Sequence, residues 1–327
     1  LKYLSIADEA IRNGDWFTFY NHGTIYADKP PLYFWIIMLC KIVWGSHSMF
    51  LLSLFSVIPA FITIGIMDRW IRECSLSSRR SVALLLFTSG LFLGSALVLR
   101  MDMMMCMFIT LSLYIFYKRY TEQDRKPDHF WLPFCIFMAL FSKGPIGIIV
   151  PVCSIAVFLI LKKEIRKFGK FLGWKEFTIL LTLCVIWFGC VFWEGGYDYL
   201  YDLLFHQTIN RAVDSFQHKE PFWYYGTTVW YALAPWSLFY ILILVIGIWK
   251  RLITTDKEKL FFSVIATTFI LLSLFSSKLD IYLLPIYPFV AYLSILLLPK
   301  IKEKWIRFTL YIPIVVFILA FPISFFL

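Results

Sequence analysis

Asp28 and Lys29 stand directly before Pro30 and Pro31, in the run Tyr26-Ala27-Asp28-Lys29-Pro30-Pro31-Leu32-Tyr33-Phe34-Trp35. Each proline fixes φ, and a residue that precedes a proline is pushed out of the α region. The carboxylate and the ammonium are therefore expected on a stiff extended segment, with a helix resuming behind them at Leu32. Charges held this way can face a ligand, or they can belong to a capped loop before a helix. Gly14-Asp15-Trp16 lies a short way upstream.

Further charges sit at tight connections. Arg100-Met101-Asp102 separates two apolar runs with almost no loop. A charge there is costly unless it is paired or faces water, so the pair reads as a site element or as a helix end with an internal ion pair. In Lys143-Gly144-Pro145 the glycine allows a bend and the proline starts a helix. Lys143 reads as structural or phosphate-facing. The stretch 194–229 carries Tyr197, Tyr199, Tyr201, His206, Gln207, Asn210, Arg211, Asp214, His218 and Lys219, then Pro221-Phe222-Trp223-Tyr224-Tyr225. His206 and Arg211 are five residues apart, about one and a half helical turns. A histidine there can be simply solvated. With Arg211 and the aromatic run, across from Asp28 and Lys29, it can instead build an anion or metal site. Phe222 to Tyr225 reads as an interfacial anchor. In Ser277-Lys278-Leu279-Asp280-Ile281-Tyr282-Leu283-Leu284-Pro285, Lys278 can simply snorkel and Tyr282 can simply sit in an aromatic belt.

What must position these residues is a membrane. The chain is 60% hydrophobic and 20% aromatic, with a mean hydropathy of +0.75, well beyond the apolar share of an average soluble domain. Apolar runs of bilayer length are expected at 48–68, 82–99, 103–118, 130–142, 145–161, 177–193, 230–249, 260–276, 281–298 and 308–327. Residues 1–47 are too broken to span, and the patterns at 7–11 and 32–43 suit helices lying along the interface. The connections 69–81, 118–129, 162–176, 250–259 and 299–307 hold 22 of the 31 Lys+Arg. They are every second loop, as cytosolic loops should be. The net charge of +10 therefore marks sidedness and not a nucleic-acid partner. The remaining loops, 1–47, 100–102, 143–144, 194–229 and 277–280, are expected outside. They contain the residues discussed above, so the site is expected to be a polar face assembled from several outward loops.

The fold class expected is an all-α integral membrane protein, a polytopic bundle of about ten spans. Residues 1–47 form an outer catalytic loop with juxtamembrane helices, and 48–327 form the spanning domain. Leu1 is not Met, and the chain stops within an apolar run at Leu327. Both ends are expected to be cut or processed, with an odd number of helices before Leu1. The seven cysteines make no CxxC or CxxH pattern, so neither a disulfide scaffold nor a zinc knot is expected. There is no Walker, HExxH or GxSxG pattern, which removes the usual basis for nucleotide hydrolysis and serine hydrolase chemistry.

Taken in order, GDW, YxDKPPLYFW, RxD, SKGP, HxxxxR with PFWYY, and SKLDIYLLP resemble the polyprenyl-phosphate-sugar glycosyltransferases. These are GT-C membrane enzymes that include the aminoarabinose lipid A transferases and the protein O-mannosyltransferases. The resemblance runs from residue 1 to about 290. It implies an enzyme of a bacterial inner membrane whose site faces the periplasm. Its donor would be an undecaprenyl- or dolichyl-phosphate sugar, and its acceptor a lipid, glycan or protein. The resemblance puts the family's first tyrosine on Tyr3 and the position before it on Lys2. The catalytic base of that motif would be an aspartate two positions before Leu1. Asp8-Glu9 competes for the role, but Arg12 stands where a tyrosine should and GDW follows too closely. The acidic-Lys-Pro motif falls on Asp28 and Lys29, its tyrosine on Tyr26, and the second loop aspartate on Asp102. The resemblance further implies a divalent metal between Asp28 and His206, with Arg211, Lys29 and Tyr282 near the donor phosphate. Aminoarabinose transferases usually have glutamate at the Asp28 position, a departure that bears on the sugar. Their soluble C-terminal domain has no counterpart in these residues. Two rivals are weighed: a secondary transporter or lipid flippase, which would need charges within spans and an internal repeat, and an inactive family member.

Overall fold

A computed structural model describes residues 2–121, 127–205, 220–313 and 315. The regular structure in these residues is helical, apart from a two-stranded hairpin pairing Tyr20 with Ile25 and Asn21 with Thr24. It begins with two helices, α1 (Lys2–Asn13) and α2 (Leu32–Trp44), joined by that hairpin (β1, Tyr20–Asn21; β2, Thr24–Ile25). In α1 the buried residues are Ile6, Ala7 and Ala10, one stripe of a 3.6-residue period. Pro31 precedes α2, which starts where the second proline stops constraining its neighbour. Phe34 of α2 collects Tyr3, Phe19 and Tyr26 around it, and this apolar cluster extends to Met101 and Met104.

The spanning part follows: α3 (Met49–Trp70), α4 (Leu76–Phe87), α5 (Gly90–Leu97), α6 (Asp102–Thr121), α7 (Asp128–Lys143), α8 (Ile146–Leu161), α9 (Phe168–Phe171) and α10 (Trp174–Tyr201). Then come α11 (Tyr224–Ala232), α12 (Ser237–Trp249), α13 (Asp256–Leu274), a 3-10 segment at Asp280–Ile286 and α14 (Tyr287–Leu297). Among the described residues, three helical stretches can cross a membrane by length and composition, Met49–Trp70, Trp174–Phe205 and Asp280–Lys300. A bent pair, α4 with α5, makes a fourth if counted as one span. Large apolar side chains remain exposed around the bundle, Trp193, Trp174 and Trp249 among them, as a lipid-facing surface requires. The molecule is a helical membrane protein.

Three expected spans are corrected. The run 82–99 is not one straight helix, because α4 and α5 meet at 70°. Thr88 and Ser89 turn their hydroxyls back onto the carbonyls of Leu84 and Leu85, which bends helices. Gly90 then donates out of the helix to the Ala234 carbonyl at 2.7 Å. The run 230–249 is divided between α11 and α12 around Pro235, which has no N–H to continue a helix. In the third case α10 overruns its expected end at 193 and continues to Tyr201, changing direction at Gly196. The first residues of the expected outer loop 194–229 are thus helical. Of the run 308–327, the described part is the end of a 3-10 turn, Lys304–Leu310, and a few residues after it.

Ion pairs sort the connections. Arg119 meets Glu176, Lys162 meets Asp256, Lys257 meets Glu73 and Lys300 meets Glu258. These contacts tie together all five of the Lys/Arg-rich connections at one end of the bundle. Asp102, at the start of α6, and Lys143, at the end of α7, meet at the other. The 20-residue α6 runs between the two ends, a length of about 30 Å.

Candidate active site

Asp102 opens α6, where a carboxylate suits the positive end of the helix dipole. Lys143 closes α7, where a cation suits the negative end. Gly144, at φ +112°, lets the chain turn directly after it. The two side chains form an ion pair, with only 7% and 6% of their side-chain surfaces exposed. The Lys143 ammonium also lies 4.4 Å from the centroid of the Tyr282 ring. Lys29 and Arg100 bring two further positive charges to bear on it. Four separate connections thus contribute to one centre: the Asp28-Lys29 segment, 100–102, 143–144 and the 3-10 turn that carries Tyr282.

Beside this centre, the Lys2 ammonium sits 4.4 Å from the Tyr26 ring centroid. Tyr3 packs edge-on to Tyr33 and Phe34, and Tyr26 packs edge-on to Phe34. Lys2, Tyr3 and Tyr26 therefore share one neighbourhood, while Lys29, Asp102 and Tyr282 share the other. Asp28 is half-buried between them in sequence and stands next to Lys29. His206 and Arg211 lie outside the described residues. Among the described residues no group of three His, Cys, Asp or Glu could hold a metal ion. Of the two expected metal ligands, Asp28 is the one among the described residues.

Several neighbours behave differently from expectation. Lys278 does not snorkel: it is buried, and its ammonium donates to the carbonyls of Glu220 at 2.8 Å and Phe275 at 2.6 Å. The aromatic run splits, since Phe222 and Trp223 are exposed while Tyr225 is buried and Tyr224 donates to Asp280. Asp8 and Glu9 are both engaged in holding local structure. Asp8 accepts from Lys41 and lies 2.6 Å from the His47 ring nitrogen. Glu9 accepts from the backbone N–H groups of His22 and Gly23. Burial would raise the Asp8 pKa, but the hydrogen bonds from Lys41 and His47 outweigh it and hold the carboxyl below its ordinary value.

Arg100 also lines a cleft of about 510 Å³ whose walls include Gly90, Gly94, Tyr224, Tyr231 and Asp280. Ser95, nearly fully buried, also lines it, with a hydroxyl that makes no hydrogen bond. For Arg100 and Lys143 the sequence leaves a site role and a structural role both open. The signal was a cation at each of two very short loops on the side that keeps few of them.

The arrangement suits an anion. Beyond the Asp102–Lys143 ion pair, Lys29 and Arg100 add two cations. Tyr282 adds a hydroxyl, and an apolar-walled cleft begins at Arg100. A phosphate attached to an apolar chain matches both features.

Residues 28–193 match the family model described as dolichyl-phosphate-mannose-protein mannosyltransferase. An undecaprenyl phosphate-alpha-4-amino-4-deoxy-L-arabinose arabinosyl transferase of Serratia proteamaculans is 25% identical over 87% of this chain and 52% of its own. The enzyme of the same description from Pseudomonas paraeruginosa is 25% identical over 72% of this chain and 44% of its own. Among solved structures, ArnT from Cupriavidus metallidurans bound to undecaprenyl phosphate superposes with a TM-score of 0.78 at 18% identity. That match covers 92% of this chain and 55% of the other. The chain spans about half the length of the relatives it matches.

Proposed function

The chain belongs to the dolichyl-phosphate-mannose-protein mannosyltransferase family, and from that premise we propose a membrane glycosyltransferase with a polyprenyl-phosphate sugar as donor. Its acceptor would be lipid A, another glycolipid, a glycan or a protein, met at the outer face of a bacterial inner membrane. About ten spans, with the site end outside, complete the proposal. The observation that carries it is the gathering of Lys29, Arg100 and Lys143 with Tyr282 around Asp102, beside a cleft lined by α5.

In such a transfer the bond from the sugar carbon to the phosphate oxygen breaks as the acceptor oxygen bonds to that carbon. Charge develops on the departing phosphate, and fixed cations there lower the barrier without having to reorganise. Lys29, on its proline-stiffened segment, is the residue proposed to hold that phosphate. Arg100 stands at the cleft in which the polyprenyl chain would begin, and Arg211, Lys2 and Tyr282 are proposed to complete the donor's surroundings. The Asp102–Lys143 pair is neutral as a unit and fixes the floor on which the phosphate rests. The acceptor's proton must pass to a base. One displacement inverts the anomeric centre.

The full chain in detergent, given a polyprenyl-phosphate sugar and a membrane-lipid acceptor, should release polyprenyl phosphate and form a product of inverted configuration. No turnover with any of a panel of polyprenyl-phosphate sugars would sink the proposal. A divalent ion shared by Asp28 and His206 is proposed as well. Metal content measured on the purified protein should fall in His206→Ala, and an unchanged content removes that ion from the account.

A further inference from the structure

Six consecutive residues at the bend of α10, Glu194-Gly195-Gly196-Tyr197-Asp198-Tyr199, take hold of the chain that leads to Asp28 and Lys29. The Glu194 carboxylate accepts from the backbone N–H groups of Trp16 at 2.7 Å, Phe17 at 2.5 Å and Thr18 at 2.7 Å, and from the Thr18 hydroxyl at 3.1 Å. Successive amides converging on one anion form a nest, and an ionised acceptor makes its bonds strong ones. A Cβ on Gly195 would lie 2.5 Å from the Thr18 side chain and 2.9 Å from that of Tyr199, so the close approach depends on glycine. Gly196, at φ +70°, supplies the bend that aims Tyr199 back at the same loop.

Tyr199 is 2% exposed. Its hydroxyl accepts from the Phe19 N–H at 3.0 Å and donates to the Tyr26 carbonyl at 3.1 Å. Phe19 and Tyr26 flank the β1–β2 hairpin, and the Tyr26 N–H itself bonds to the Phe19 carbonyl. The bridge therefore closes the base of the hairpin. Ala27, fully buried, follows at once, then Asp28, Lys29 and the two prolines. On the far side, the Trp35 indole donates to the Trp16 carbonyl. The Asp28-Lys29 segment is thus fixed at Tyr26 by Tyr199 and made rigid beyond Lys29 by Pro30 and Pro31.

We infer that Glu194 and Tyr199 are positioning residues, which set where Lys29 meets the donor phosphate while touching no part of the donor themselves. The inference rests on the proposed donor reading and deepens it: the affinity of Lys29 for a lipid phosphate is set from α10, about 170 residues later in the chain.

A double-mutant cycle tests this. The full chain in detergent is titrated with a short-chain polyprenyl phosphate, and the dissociation constant is measured for wild type, Tyr199→Phe, Lys29→Ala and the double variant. Tyr199→Phe should weaken binding roughly tenfold when Lys29 is present. It should weaken it less than about twofold when position 29 is alanine, because the tyrosine acts through that lysine. Glu194→Gln, which keeps the shape and loses the charge, should show the same dependence on Lys29. A merely structural role would lower the thermal midpoint without changing the constant of the folded fraction. Equal weakening in both backgrounds, or none in either, overturns the inference. A wild type whose binding does not respond to Lys29→Ala overturns the donor reading and this inference with it.

Discussion

Asp102 shows how a residue can be legible while its partner is not. A carboxylate between two apolar runs announces itself in the sequence, and the resemblance put a family aspartate at that position. Its ion pair with Lys143 joins positions 41 apart and depends on how α6 packs on α7, which no local pattern encodes. The pair is nearly dry, so removing one member strands the other. Lys143→Ala should cost about 3–5 kcal/mol of stability, and adding Asp102→Asn should recover much of that loss. Thermal midpoints in detergent check this, and a single variant as stable as wild type would contradict it. Lys278 teaches the reverse lesson. Its sequence neighbourhood allows an ammonium reaching for water, whereas carbonyls from Glu220 and Phe275 receive it inside the fold.

At the level of elements, composition carried the reading far. Apolar runs became helices, and the interfacial patterns at 7–11 and 32–43 became α1 and α2. Breaks within runs were less visible, because their causes are tertiary. The bend between α4 and α5 needs Gly90 to donate to Ala234 and the Trp236 indole to donate to Thr88. The extension of α10 past 193 was hidden by its glycines and tyrosines, which read as loop. Yet that extension organises the region around Lys29. Gly195→Ala places a methyl group against Thr18 and Tyr199, an overpacking expected to cost roughly 1–3 kcal/mol. It should also speed amide exchange in residues 16–26. Unchanged exchange there, with a wild-type midpoint, would show that the loop does not depend on this contact.

For the whole molecule, the alternation of Lys+Arg along the chain anticipated a spatial fact: the five basic connections gather at one end, and the candidate site lies at the other. The proposed orientation follows from that separation and the tendency of basic loops to stay in the cytosol. In a background lacking the seven native cysteines, Thr24→Cys should react with an impermeant thiol reagent added to intact cells. Arg166→Cys should react only after lysis. The opposite pattern would invert the proposed topology. The central claim is that Lys29 holds a departing lipid phosphate, and its most direct measurement is kcat/KM for transfer from a polyprenyl-phosphate sugar by wild type and Lys29→Ala. Loss of a charged hydrogen bond worth on the order of 2–4 kcal/mol in the transition state predicts a fall of roughly a hundredfold, which Lys29→Arg restores only in part. A Lys29→Ala protein that behaves as wild type on size exclusion and keeps more than about half of its rate would contradict the account.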